Sequence, residues 1–231
     1  MKIAVLSISN DDANKRKLEN LHHLLSDVEL LFLFGYPGMT MSQSYFYDKG
    51  WKHWAESKPG NNKDQMIIAS RSRFVIPQET GAAERPDTRI KVYLPEHDTT
   101  ISGIDFPKSQ DIQVHDFPFQ KILKIFKAQN ENREILIGDF KIYAKSLNTI
   151  LDYKHYFQEI ASLGWSDAWR TLHPITYEQI WYGNVQRQIH LNLVFLSPFL
   201  RESLLSAYHC QYSMDNKQTR TDSRVLVVEL A

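Results

Sequence analysis

The chain has 231 residues, of which 42% are hydrophobic and 12% aromatic, and its 27 Lys and Arg residues balance 27 Asp and Glu residues. This composition predicts a folded protein with a sizeable core. The zero net charge excludes the bulk positive field that usually accompanies generic nucleic-acid binding, and leaves a local basic groove as the alternative. A single cysteine, Cys210, rules out an internal disulfide, and no apolar run is long enough to span a bilayer, so we expect a cytoplasmic protein without a membrane partner.

The first two strand-like segments flank a helical pattern. Lys2–Ile8 and Asp27–Phe34 are apolar runs bounded by turn residues, which is typical of buried strands. Between them, leucines recur at helical spacing from Leu18 to Leu25. A strand, a helix and a strand in this order predict a layered α/β fold.

An aromatic segment follows the second strand. Tyr47, Trp51 and Trp54 fall at helical spacing, although Gly50 lies among them and weakens a helix. A row of large aromatic side chains suits contact with nucleic-acid bases or with a protein partner. The alternative is that the same face packs the segment onto its own domain. The three aromatics are therefore candidate binding residues, with packing as the competing interpretation.

Further strands are expected at Met66–Ala69, Arg73–Ile76 and Thr88–Leu94, whereas residues 99–115 show no usable periodicity. Helices are expected around Phe119–Phe126, after a cap at Asp116, and around Ile150–Ile160, after a cap at Asn148. Three strand-like runs close the chain: Leu191–Leu196, Leu204–Tyr208 and Arg224–Leu230. No repeat or linker interrupts this pattern, so we expect one domain over residues 1–231.

The stretch on which the functional argument rests lies between the two helices. Residues 135–137 are a continuous apolar run, closed by Gly138 and followed by Asp139, which predicts a strand covered on both faces. A carboxylate at the end of such a strand is held rigidly and suits a metal ligand or an acid/base group. The alternative is a turn aspartate that bonds its own backbone.

Five segments in chain order resemble motifs of the endonuclease/exonuclease/phosphatase superfamily, a family of Mg-dependent phosphodiesterases and phosphatases. Ile135–Lys141 (ILIGDFK) is similar to the family's strand ending in Gly-Asp-Phe-Asn, and Leu163–Pro174 (LGWSDAWRTLHP) resembles the segment after it. The other three are 180–182 (IWY), Leu191–Pro198 (LNLVFLSP) and Thr221–Leu230 (TDSRVLVVEL). The resemblance implies a four-layer α/β sandwich, with two mixed β-sheets packed face to face and helices outside.

The resemblance also implies a site in which some family residues are retained. Asp139 matches the aspartate that orients or activates the nucleophilic water, and Asp222 directly precedes the position of the family's histidine. Tyr93 resembles the tyrosine of the family's Tyr-x-Pro strand end, which contacts phosphate; the alternative is a tyrosine whose hydroxyl bonds within the core. If the chain is an enzyme, these three residues are its catalytic candidates and Mg²⁺ is its cofactor.

Other family positions are replaced. The family's main metal-binding glutamate falls at Gly35, and its assisting asparagine falls at Ser7 or Ser9. Three further positions carry other residues: Lys141 for an asparagine, Asn192 for the aspartate that orients the histidine, and Ser223 for the histidine itself. Losing a metal ligand and a charge-stabilising group together should leave little turnover.

We therefore expect a non-catalytic binding or regulatory protein on this scaffold, with no cofactor and with RNA or protein as its partner, as in an RNA–protein complex. The alternative is a divergent Mg-dependent phosphodiesterase, nuclease or phosphatase that uses Asp139 and Asp222. In the first case the ammonium of Lys141 takes the place of a cation between these aspartates, unless Lys141 is a solvated surface residue.

Overall fold

The computed structural model describes residues 1–7, 25–36, 43–57, 65–77, 89–105, 123–128, 132–143, 154–174, 188–210 and 225–231. Within these ranges the chain forms two mixed sheets, one of six strands and one of five. The helix predicted around Leu18, the caps predicted at Asp116 and Asn148, and Asp222 and Ser223 lie outside the described residues.

The six-stranded sheet has the order β10-β11-β1-β2-β4-β3. Its strands β1 and β2 are parallel, and their apolar residues are almost wholly buried. The strands are β1 (Lys2–Ser7), β2 (Leu30–Tyr36), β3 (His53–Glu56), β4 (Gln65–Ser70), β10 (Leu204–Cys210) and β11 (Val225–Leu230).

The five-stranded sheet has the order β5-β6-β7-β9-β8, with β6 and β7 parallel and the other neighbours antiparallel. Its strands are β5 (Arg89–Leu94), β6 (Thr99–Asp105), β7 (Glu134–Tyr143), β8 (Ser166–Asp167) and β9 (Gln188–Leu196). The strand β6 was missed in the sequence, because its run Thr-Thr-Ile-Ser-Gly-Ile-Asp is too polar to read as a buried strand. Pairing with β5 and β7 on either side makes it one.

The main hydrophobic core lies between the two sheets. Alternate residues of each strand point into it, including Val5 and Phe32 from one sheet and Ile137 and Val194 from the other. Gly103 of β6 lets the sheets approach: a Cβ atom there would lie 1.8 Å from Cζ of Phe32. The sandwich therefore depends on an aromatic ring from one sheet seated on a bare backbone position of the other.

Helices cover the outer faces. The helix α1 (Gln43–Asp48) packs against the six-stranded sheet, while α2 (residues 123–128) and α3 (Lys154–Ser162) cover the five-stranded sheet. A short helix, α4 (Ala168–Leu172), contacts both β9 and β10 and so bridges the two sheets. This arrangement is the predicted four-layer α/β sandwich.

Two local expectations are wrong. The aromatic segment is not one helix, because α1 ends at Asp48 and Gly50 has a positive φ of 90°, which places Trp54 in strand β3. Residues 73–76 form no strand; Val75 makes a single bridge to Tyr93 at the edge of the five-stranded sheet. The described helices include none that is long and apolar enough to cross a membrane.

Candidate functional site

Polar residues from both sheets meet at one end of the sandwich, which we call the mouth. Ser7 ends β1, Asp105 ends β6, and Asp139 and Asn192 lie opposite each other in β7 and β9. Asp105 is also the register partner of Asp139 across the parallel pair β6–β7. Neighbouring strands are about 5 Å apart, so these four backbone positions surround one small space.

Strand alternation directs the mouth side chains between the sheets. Asp139 follows Ile135 and Ile137 at two-residue intervals, and both isoleucines belong to the core between the sheets. Asp139 is only 1% exposed, and Asn192 is 8% exposed. The predicted strand end at Gly138 is therefore wrong, because β7 continues through Asp139 to Tyr143. The carboxylate lies inside the sandwich rather than in an open turn.

A hydrogen bond between side chains joins the two sheets at the mouth. The Ser7 hydroxyl donates to Oδ1 of Asn192 at 2.7 Å, and both residues are buried. The hydroxyl and the amide oxygen are neutral groups that satisfy each other. Ser7, one of the two residues predicted at the family's asparagine position, is thus joined as a neutral pair to Asn192, predicted at the aspartate position, while Ser9 lies outside the described residues.

The end of β2 beside Ser7 carries a phenyl ring on the inward face. Ser7 is the register partner of Phe34, and Phe34 belongs to the core between the sheets together with Phe32, 4.8 Å away between ring centroids. Because successive strand residues point to opposite faces, an inward carboxylate beside Ser7 would come from position 34, not from Gly35. Gly35 has a φ of 71° and lies within an irregularity of the β2–β4 pairing. The assignment of the family's glutamate to Gly35 stays a prediction, and the inward position beside Ser7 carries the buried phenyl ring of Phe34.

Glu29 cannot supply that carboxylate. It precedes β2, whose first residue Leu30 pairs with Ile3, so it lies about 17 Å along the strands from the mouth. There its Oε1 accepts hydrogen bonds from Ser72 Oγ and His97 Nε2, each at 2.6 Å. We call this opposite end of the sandwich the far end.

Tyr93 also lies at the far end, away from Asp139, with which the resemblance groups it as a catalytic candidate. Tyr93 pairs with Thr100, which in turn pairs with Glu134, five residues before Asp139. The Tyr93 hydroxyl donates to Asp98, and this hydrogen bond raises the pKa of the phenol. The two residues are apart because β5 runs antiparallel to β6, a direction that the motif alone did not give.

Asp105 is the mouth residue that sequence reasoning missed. The strand that runs parallel to β7 and ends beside Asp139 is β6, and its sequence continues as Asp105-Phe-Pro. Asp105 thus has the spacing of the family's Tyr-x-Pro strand end, with an aspartate where the tyrosine would be. The proline two residues after Asp105 was the available signal for this strand end, but Tyr93-Leu94-Pro95 matches the same pattern with its tyrosine.

The remaining predicted residues do not all reach the mouth. Trp51 is buried in the apolar cluster on the outer face of the six-stranded sheet, with the Arg71 guanidinium over its ring. Trp54 packs against the same cluster, and Tyr47 is 64% exposed on α1. The three do not form one face, and a binding role for Tyr47 and Trp54 stays a prediction. Lys141 is two residues after Asp139 in β7, but its side chain is outside the described part.

The segment Leu163–Pro174 is a structural element. Asp167 caps α4 by accepting a hydrogen bond from the Arg170 backbone at 3.0 Å, and its carboxylate also pairs with the Arg170 guanidinium. Trp169 packs against the main core and contacts His209 of β10 at 5.6 Å between ring centroids. This motif therefore builds the bridge between the sheets rather than a reactive group.

The described mouth residues are a poor donor set for Mg²⁺. The ion requires near-octahedral oxygen coordination. The mouth offers two carboxylates and a phenyl ring, and its hydroxyl and amide oxygen are already bonded to each other. Across the described ranges, no group of three or more His, Cys, Asp or Glu side chains is placed to hold a metal ion.

No protein-family model matches the chain, and no curated protein sequence does. Solved structures do. An AP endonuclease from Archaeoglobus fulgidus matches with a TM-score of 0.72 and 15% identity, over 100% of this chain and 99% of that one. The 3′ phosphatase NExo from Neisseria, bound to product DNA hairpin, matches with a TM-score of 0.68, and the 3′-5′ exonuclease NExo from Neisseria meningitidis with 0.67. Both are 16% identical and match over 100% of this chain and 99% of theirs. The chain therefore has the fold of the endonuclease/exonuclease/phosphatase superfamily, as the sequence motifs implied.

Proposed function

We propose that the chain is a non-catalytic binding or regulatory protein on an endonuclease/exonuclease/phosphatase scaffold. The observation that carries this proposal is the buried hydrogen bond of 2.7 Å between Ser7 and Asn192. A hydroxyl and an amide oxygen at positions that would bind a metal or a phosphate in a hydrolase bond to each other instead. Phe34 fills the adjoining position with a fully buried ring.

The charge balance of the mouth supports the same conclusion. Asp105 and Asp139 are adjacent carboxylates, and without a divalent cation they repel the phosphate of a would-be substrate. Lys141 follows Asp139 at the two-residue spacing at which strand residues share a face. In our proposal its ammonium is the permanent cation of the mouth, with Asp222 as the second carboxylate partner.

The partner class follows from the scaffold. The structurally similar proteins include an AP endonuclease and a phosphatase bound to a DNA hairpin, so a nucleic-acid partner is the natural extension to this chain. Its balanced charge disfavours generic, purely electrostatic binding. We therefore propose a role within a cytoplasmic RNA–protein complex, where a protein surface shares the contact.

A phosphodiesterase assay tests the proposal. With a chromogenic phosphodiester and Mg²⁺ or Mn²⁺, we expect the same rate of hydrolysis with the protein as in buffer without protein. The rate should not change after Asp139→Ala, because Asp139 has no catalytic role in this proposal. Asp98→Ala removes a carboxylate at the far end and is the matched control. Turnover that disappears in Asp139→Ala but persists in Asp98→Ala would contradict the proposal.

One observation favours a second candidate, a divergent Mg-dependent phosphodiesterase, nuclease or phosphatase. Asp105 brings a second carboxylate beside Asp139, and Mg²⁺ in phosphoryl-transfer sites is often held by one or two carboxylates together with substrate phosphate. In that case Asp105, Asp139 and Asp222 would hold the ion, which would supply the polarisation of the phosphate. The assay separates the two candidates, because only the second predicts loss of activity in Asp139→Ala.

A further inference from the structure

A titratable cluster at the far end joins the two sheets. Glu29 directly precedes β2 and Ser72 follows β4, both in the six-stranded sheet. His97 ends the 3-10 turn between β5 and β6 of the five-stranded sheet. Its Nε2 lies 2.6 Å from Oε1 of Glu29, which also accepts from Ser72 at 2.6 Å. One carboxylate oxygen therefore connects the sheets.

The backbone around this cluster is held firmly. Glu29 N–H donates to the Lys2 carbonyl, and Arg71 N–H donates to the Glu29 carbonyl, each at 2.9 Å. His97 is fixed from its own side, since Thr99 Oγ1 donates to its carbonyl at 2.8 Å. Within this cluster, among the described residues, the bond that crosses between the sheets is the one between the side chains of His97 and Glu29, and Ser72 holds Glu29 from its own sheet.

The two ends of the sandwich thus differ in chemistry. The mouth is joined by Ser7 and Asn192, neither of which titrates between pH 2 and pH 10. The far end is joined through a carboxylate that is one-fifth exposed, and an imidazole that is about one-quarter exposed. A change of pH can therefore act on the contact between Glu29 and His97, whereas the hydrogen bond between Ser7 and Asn192 contains no titratable group.

We propose that Glu29, Ser72 and His97 form an acid-sensitive clamp, whose release loosens the sandwich at the far end while the mouth stays joined. Release needs only protonation of the Glu29 carboxylate, which then offers His97 a weaker, neutral acceptor. The titratable groups that face Glu29 from the packed elements are His97 and the amino group of Met1. This device is independent of the function proposed for the mouth.

The direction of the effect follows from the ionisation of Glu29. Burial opposes its ionisation, but the hydrogen bonds from Ser72 and His97 outweigh burial and lower the pKa of Glu29 below its ordinary value. A carboxylate with a lowered pKa stabilises the fold fully above its unfolded pKa of about 4.3, and this contribution disappears as the pH falls through the folded value. The clamp is therefore closed at neutral pH and opens in acid.

Native-state hydrogen exchange of the full chain tests the clamp, with Glu29→Gln as a permanently uncharged mimic. At pH 6 we expect protection of the Tyr93 and Val75 amides, which bond each other's carbonyls at the far end, to fall about tenfold in the variant. Protection of the β7 amides next to Asp139 should stay unchanged. On acidification through the pH range in which the Glu29 carboxylate takes up its proton, the native chain should approach the variant at the far end.

Controls keep each outcome decisive. Ser72→Ala removes one hydrogen bond without touching the carboxylate, so it should keep the acid response with a smaller loss of protection. Equal protection of native chain and Glu29→Gln at pH 6, or an equal loss at both ends, would overturn the proposal. If Glu29→Gln does not fold, a far-end loss in Ser72→Ala that grows in acid still supports it, and a loss independent of pH overturns it.

Discussion

Replacing Phe34 by glutamate is expected to destabilise the protein by at least about 4 kcal/mol, because it removes a fully buried ring and puts a carboxylate in its place. The substitution restores the type of residue that the family resemblance implies beside Ser7. In a functioning metal site the ion would compensate the new charge. The mouth already holds the acidic residues Asp105 and Asp139, so an added carboxylate should be harmful, and less so in acid, where the new side chain is neutral.

Thermal and urea unfolding with and without Mn²⁺ measure this effect. Phe34→Leu is the matched control and should cost only about 1 kcal/mol, because it keeps an apolar side chain of similar volume. Addition of Mn²⁺ should not rescue Phe34→Glu. A Phe34→Glu variant that folds stably and gains stability with Mn²⁺ would show that the remaining ligands of a metal site are intact, contrary to our account.

Gly103→Ala is expected to have the second large effect, a loss of about 3 kcal/mol. The new Cβ would lie 1.8 Å from Phe32 Cζ and 2.9 Å from Ile90 Cγ2, far inside contact distance. Phe32 belongs to the facing sheet and is fully buried, so its ring cannot move aside without disturbing the core between the sheets. The substitution therefore pushes the sheets apart two residues from Asp105.

A double-mutant cycle identifies this clash as the cause. Phe32→Leu alone should be destabilising, but the variant carrying both Phe32→Leu and Gly103→Ala should be more stable than the sum of the two losses implies, by about 1–3 kcal/mol. Purely additive losses in denaturant unfolding would mean that Gly103 does not set the spacing of the sheets.

The fold could be predicted because each of its main strands carries its own signal. The apolar runs of β1, β2 and β7 are long enough to read as buried strands, and their order implies layered sheets. The strand β6 carries no such signal. Its polar residues are buried only because strands lie on both sides, a condition that depends on pairing and not on the segment itself.

The site was predicted less completely for the same reason. Asp139 was identified because it follows the recognisable apolar run of β7, whereas Asp105 was missed with the strand that carries it. Tyr93 was grouped with Asp139 because the motif does not give strand direction, which decides which end of a sheet a residue reaches. The inward direction of Phe34 was not evident from the sequence for a similar reason. One residue changes the face of a strand, and only the pairing with Ser7 shows that Phe34 points between the sheets.

The aromatic segment shows how local spacing can mislead. Tyr47, Trp51 and Trp54 fit a helix by their separation, but the positive φ at Gly50 turns the chain from α1 towards β3. Trp51 is thereby only 2% exposed. The packing interpretation was the better one for Trp51, and only the structure separates it from the exposed Tyr47.

Isothermal titration of the full chain with Mn²⁺ and Mg²⁺ tests most directly whether the mouth has lost its metal site. Our account predicts no binding heat at micromolar to low-millimolar metal, and identical traces for the native chain and Asp139→Ala. A single site of micromolar affinity that disappears in Asp139→Ala would contradict it, and would assign the chain to the metal-dependent hydrolases of this fold.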